Sequence, residues 1–320
     1  MRLLQLAGLF LALRAVAAAE PPGAGPDGMA DAACHASARA AMQRRTQVAA
    51  YYEWKLALVE GKVWEWRTGQ PPRQILRGAV QVAVSRNSGY AIDARRRLLG
   101  WSAGSGRSTV LLENAVWMAA GESGLFAIRC DGSLWQRDAS VAEWKRVTDS
   151  AVHGWIGDGA DYYVDPAGGL YVRGKAHRGQ YGDGRLTESP GWVRVATDVV
   201  AVVAHTGHAL YLRRDGTVLG TGGNRFGPLG THGYGDKADV WGTIFTAAVQ
   251  IATGSRHSLA IRGDGSLWIW GAAEGLQPRQ VLGGVVAASG GLEDSVALTG
   301  DGAVWNWALG QAPVRLRLAP

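Results

Sequence analysis

Residues 251–271 read IATGSRHSLAIRGDGSLWIWG. His257, Asp264, two arginines and two tryptophans in so short a span could make a reactive site. They could equally be one unit of a repeated scaffold, and recurrence along the chain decides between the two. The element D-G-S-L-W of this stretch returns with variations at Gly61-Lys62-Val63-Trp64, Arg97-Leu98-Leu99, Asp131-Gly132-Ser133-Leu134-Trp135 and Gly168-Gly169-Leu170-Tyr171. It returns again at Asp215-Gly216-Thr217-Val218 and Asp301-Gly302-Ala303-Val304-Trp305, which makes seven anchors in all. Successive anchors lie 35, 36, 36, 48, 49 and 37 residues apart.

A repeat of this length built from apolar runs and turns points to a propeller or a solenoid. Each anchor follows a partner strand, as HSLAI precedes RGDG and HALYL precedes RRDG. Asp-Gly between two apolar runs is a hairpin signal, and a type I′ turn places positive φ at both central residues. Farther upstream, PRQILRGAVQVAVS (72–85) and PRQVLGGVVAASGG (278–291) are near copies that supply two more strands. Four strands per unit is the content of a propeller blade. In SLWIW both alternating faces are apolar, Leu267 and Ile269 on one and Trp268 and Trp270 on the other, as a sheet covered on both sides requires. The expectation is an all-β, seven-bladed propeller. The chain ends APVRLRLAP, like the PRQIL run that is read as opening a unit, while the first unit lacks such a run. The ring is therefore expected to close by the C-terminal strand pairing in the first blade, which removes two sheet edges.

The stretches VQIATGSRHSLAIRGDGSLWIWG and VVAVVAHTGHALYLRRDGTVLGTGGNRFGPLG resemble repeats of the regulator of chromosome condensation, the RCC1-type propeller. The fifth and sixth units carry the resemblance, the fourth shares its loop GKAHRGQYGDG, and the others are degenerate. It covers nearly the whole chain from Gln47 to Leu318. The resemblance implies protein–protein interaction surfaces. Some members exchange nucleotide on small GTPases, and some secreted bacterial members inhibit enzymes.

The amino terminus, MRLLQLAGLFLALRAVAAAE, has a positive residue, an apolar run too short to span a bilayer, and Ala17 and Ala19 before Glu20. Residues 1–19 read as a signal peptide, 20–46 as an Ala-rich N-terminal segment and 47–320 as the propeller. The expected location is exported, periplasmic or secreted, which argues against GTPase exchange. Net charge is +6 and the densest basic run is Arg95 to Arg97, so neither nucleic acid nor membrane insertion is expected. The two cysteines, Cys34 and Cys130, can form one bridge in an oxidising compartment; two unpaired thiols fit the sequence equally well.

His208 and His257 occupy one repeated slot ten residues before their anchors, which favours packing or a strand-end hydrogen bond over catalysis. The aspartates Asp131, Asp215, Asp264 and Asp301 are placed by their hairpins. No hydrolase, zinc-protease or phosphate-loop motif is present, so the expectation is a monomeric, non-enzymatic binding protein without metal or cofactor. Trp64, Trp135, Trp268 and Trp305 repeat and read as packing between blades, leaving Trp155, Trp192 and Trp241 as exposed contact candidates. Two units are about a dozen residues longer than the rest. Their extra length lies in KAHRGQYGDGRLTESPGW and GNRFGPLGTHGYGDKADVW. These loops should emerge side by side and offer His177, Arg178, Tyr181, Asp183, Asn224, Arg225, Phe226, His232, Tyr234 and Trp241 to a protein partner. A carbohydrate-binding or carbohydrate-active envelope protein using Trp and Asp is the alternative.

Overall fold

Seven sheets of four antiparallel strands each are formed by consecutive runs of the chain, all in up-and-down order. The computed structural model describes residues 34–42, 47–105, 107–157, 159–205, 207–230, 235 and 237–318. The proposed leader and most of the 20–46 segment lie outside the described residues. Blade 1 comprises strands Val48–Tyr51, Trp54–Val59, Lys62–Arg67 and Arg73–Arg77. Blades 2 to 7 follow at 79–112, 115–148, 153–196, 199–245, 248–282 and 285–315. The first strands of all seven blades contact one another in a closed ring, so the first strand of each blade is the innermost. The fold is a seven-bladed, all-β propeller.

The mode of closure differs from the expectation. Val314–Arg315 pairs with Val304–Ala308 of its own blade, through Trp305↔Arg315 and Asn306↔Val314, and not with blade 1. The PRQIL run supplies Arg73–Arg77, the fourth strand of blade 1, so it ends a blade where it was read as beginning one. Blade 1 is already complete, and the ring closes by side-chain packing. Val48, Ala50, Ala57 and Trp66 of blade 1 interlock with Ala287, Val296, Leu298 and Val304 of blade 7. Across the same seam Trp66 Nε1 donates to Asn306 Oδ1 at 3.2 Å, and the Ala50 amide donates to Ser289 Oγ at 3.1 Å.

The hairpins between second and third strands explain their aspartates. The Oδ1 atoms of Asp131, Asp215, Asp264 and Asp301 accept from the amide two residues on, at 2.9, 2.8, 2.8 and 3.1 Å. Only the following glycine takes positive φ, +84° at Gly132 and Gly216 and +79° at Gly265 and Gly302. These are type I turns closed by a left-handed glycine, not the expected type I′. The type I′ pattern occurs in blade 1, where Glu60 (φ 50°) and Gly61 (φ 72°) are both left-handed. The tryptophan four residues after the aspartate completes the unit: Trp135 Nε1 donates to Ser133 Oγ at 2.7 Å and Trp268 Nε1 to Ser266 Oγ at 2.9 Å. Arg129 and Arg262 lie over these two rings at 5.7 and 4.4 Å. Trp135, Trp268 and Trp305 are half-buried latches of their own hairpins, and of the repeated set only Trp64 is fully packed.

A short helix, α1 (Ala36–Met42), packs on the face that carries these D-G turns. Its Ala38 and Ala41 cover Val116 and Trp117 of blade 3, and Cys34 is bonded to Cys130 in the blade 3 hairpin. The bridge closes a 96-residue separation, with the His35 amide donating to the Cys130 carbonyl at 3.0 Å.

Candidate protein-docking face

The turns joining first to second strands and the loops joining third to fourth strands gather on the face opposite the D-G hairpins. Here this surface is termed the loop face. Side chains from four blades meet at its centre. Tyr51 of blade 1 donates to Glu122 Oε2 of blade 3 at 3.2 Å and stacks on His205 of blade 5, ring centroids 5.3 Å apart. Arg86 of blade 2 adds an ion pair to Glu122 at 3.0 Å.

The two long loops do lie side by side. Thr221 Oγ1 of blade 5 donates to the Gly179 carbonyl of blade 4 at 2.8 Å, and the Trp241 amide donates to the Gly182 carbonyl at 3.0 Å. An isolated bridge joins Asp183 to Val240. The sequence-derived residues divide by burial. Tyr181 is fully buried, its hydroxyl donating to the Gly174 carbonyl at 2.8 Å and accepting from the Ser189 amide at 2.9 Å. Burial pushes that phenol above its ordinary range. Asn224 is buried and its Oδ1 accepts from the Leu229 amide at 3.0 Å, closing the blade 5 loop on itself. Trp241 is half-buried, edge-on to Tyr211 at 4.5 Å. These three build the loops and are not offered to a partner. The other two tryptophans singled out for exposure are also half-buried: Trp155 packs against three core clusters, and Trp192 packs on Tyr163 under Arg173.

His177, Arg178, Asp183, Arg225 and Phe226 are exposed, with Asp183 held by Arg185. His232 and Tyr234 lie outside the described residues. Arg178 reaches from blade 4 over the turn of blade 5, where Gly207 (φ +94°) leaves it room. A Cβ at Gly207 would sit 2.7 Å from the Arg178 side chain. The sequence reading missed Arg256. It stands in the opening stretch, immediately before the repeated histidine, and that repetition hid it. Its guanidinium lies 4.6 Å from the Phe226 ring and donates to Glu293 Oε1 at 2.5 Å. Arg225 lies over the same ring at 5.9 Å.

The repeated slot of His208 and His257 is a latch between blades. His257 Nε2 is 2.9 Å from Ser295 Oγ of blade 7, and His208 Nε2 is 3.5 Å from Ser258 Oγ of blade 6. Both rings are buried, and that burial, assisted by neighbouring histidines, lowers each pKa to about 3. They are neutral at physiological pH and unfit as acid catalysts there. No group of three or more His, Cys, Asp or Glu among the described residues is arranged to hold a metal, and no helix among them is long and apolar enough to cross a membrane.

Residues 248–273, which form most of blade 6, match the family described as the regulator of chromosome condensation (RCC1) repeat. No curated protein matches the chain by sequence. Among solved structures, human WBSCR16 superposes with a TM-score of 0.67 at 14% identity, over 78% of this chain and 84% of that one. Prp20p from Saccharomyces cerevisiae, solved in a study of its binding to Gsp1p and histones, superposes with a TM-score of 0.66 at 15% identity, over 84% of this chain and 82% of that one. The same yeast protein bound to Kap60 gives 0.67 at 15% identity, over 78% of each chain. At these identities the likeness is one of fold. The chain is thus a seven-bladed β-propeller that carries an RCC1-type repeat in blade 6.

Proposed function

We propose that this chain is a non-enzymatic, exported binding protein whose loop face docks a protein partner across blades 4 to 6. The observation that carries the reading is the ridge formed by exposed Arg178, Arg225 and Phe226 with half-buried Arg256, set side by side by three blades. Arginine and aromatic side chains are the usual anchors of protein interfaces, because they combine large contact area with directed hydrogen bonds. The yeast neighbour, solved bound to Kap60 and studied for its binding to Gsp1p and histones, supports a propeller of this shape as a protein-binding platform. The leader-like amino terminus and the Cys34–Cys130 bridge support an oxidising compartment outside the cytoplasm.

The test is affinity capture from envelope extract with the intact protein and with the triple variant Arg178→Ala, Phe226→Ala, Arg256→Ala. A partner held by the first and lost by the second supports the reading. A partner held equally by both overturns it.

A further inference from the structure

Resting on that docking reading, we infer that the segment accepted by the loop face is an acidic stretch of polypeptide carrying an apolar side chain. Around Phe226 the fixed charge is cationic: Arg225 and Arg256 flank its ring, and Lys175 is exposed in the blade 4 loop. Of the nearby carboxylates, Asp183 is held by Arg185 and Glu293 by Arg256. Arg225 has no carboxylate partner among the described residues. Its guanidinium is nonetheless directed, because it lies over the ring of Phe226, which is 39% exposed. A stacked guanidinium keeps its donors for a carboxylate in the plane of the fork and has less rotamer freedom left to lose.

Glu293 shows what the ridge takes. Its carboxylate is seated on Arg256, itself over the Phe226 ring, at 2.5 Å. A second carboxylate, from the partner, would meet Arg225 on the same ring in the same manner, while an apolar partner side chain covers the exposed part of Phe226. Charge-assisted contacts of this kind are short and geometrically selective.

The probe is a short fluorescein-labelled peptide of repeated Glu-Glu-Phe, titrated with the full chain by fluorescence anisotropy. Lys-Lys-Phe and Glu-Glu-Ala peptides and an oligothymidylate of equal length are the comparisons. The acidic aromatic peptide is expected to bind most tightly and to weaken about tenfold with Arg225→Glu. Glu293→Gln, which frees Arg256 from its internal carboxylate, is expected to tighten binding a few-fold. Arg315→Glu, beside Asp301 on the opposite face, is expected to leave it unchanged. Indifference to Arg225→Glu, weaker binding with Glu293→Gln, or tighter binding of the lysine peptide or the oligonucleotide would overturn the inference. A photo-crosslinker at position 226 separates the two levels of the argument. A discrete protein adduct that does not respond to Arg225→Glu overturns the acidic assignment alone, and the lack of any adduct from 226 overturns the docking face with it.

Discussion

Lys55 of blade 1 is fully buried and forms an ion pair with Asp294 of blade 7 across the seam where the ring closes. Asp294 stands in the slot that His208 and His257 fill in blades 5 and 6, and Lys55 stands where Ser258 and Ser295 stand in the blades that receive them. One latch thus recurs at three successive junctions, neutral between blades 5, 6 and 7 and ionic between blades 7 and 1. Lys55 also donates to Thr68 Oγ1 at 2.7 Å and to the Glu53 carbonyl at 3.0 Å, and Thr68 Oγ1 donates to Asp294 at 3.0 Å.

Breaking this pair on one side should be costly. Asp294→Ala leaves a buried ammonium without its counter-ion, and the expected loss is about 3–5 kcal/mol in urea unfolding. Replacing both partners, Lys55→Met with Asp294→Leu, should recover most of that loss, because no charge is then left buried. Equal stability of the single and double variants would mean that the seam is held by the apolar cluster alone.

The two latch histidines predict acid lability. Each has a folded pKa of about 3 against an ordinary value near 6.5, so the unfolded chain binds more protons between those limits. Their contribution is fully present above pH 6.5 and is lost as pH falls, by about 1.4 kcal/mol per pH unit for each ring. The hairpin aspartates, held below their ordinary range by the hydroxyl and amide bonds of their turns, act only at lower pH. Urea unfolding at pH 7.5 and pH 5 should therefore show a drop that is smaller in His257→Gln. An unchanged drop would assign the acid sensitivity elsewhere.

Reduction of the Cys34–Cys130 bridge should lower stability by about 2–4 kcal/mol, since it closes a long loop and holds α1 over Val116. Thermal melting with and without reductant measures it, and Cys34→Ser should abolish the difference.

Gly207→Ala should cost about 1–2 kcal/mol, because the residue sits at φ +94° and the new Cβ would meet the Arg178 side chain. The same change should displace Arg178 from the ridge and weaken partner capture. A variant of unchanged stability would place Arg178 elsewhere.

Blade number was legible because the D-G anchor carries its own chemistry: the aspartate side chain, the left-handed glycine and the tryptophan latch all lie within five residues. Blade phase was not. The PRQIL run is half-exposed and weakly patterned, so nothing local marks it as a fourth strand, and only its pairing with Lys62–Arg67 does. The candidate face was legible as a place, since the added length falls in two adjacent loops. Its individual residues were not, because Tyr181 and Asn224 look like contact residues until their hydrogen bonds are traced into the loop itself. Arg256 was hidden for the opposite reason: a repeated strand carries it, while the contact that exposes its role is with Phe226, thirty residues earlier in sequence.

The most direct test of the docking face is site-specific photo-crosslinking in cells that make the protein, with the reactive side chain placed at Phe226 on the loop face or at Thr217 on the D-G face. The account predicts a discrete protein adduct from position 226 that is absent from position 217 and lost when Arg178 and Arg256 are also replaced by alanine. An adduct from 217 with none from 226 would contradict it.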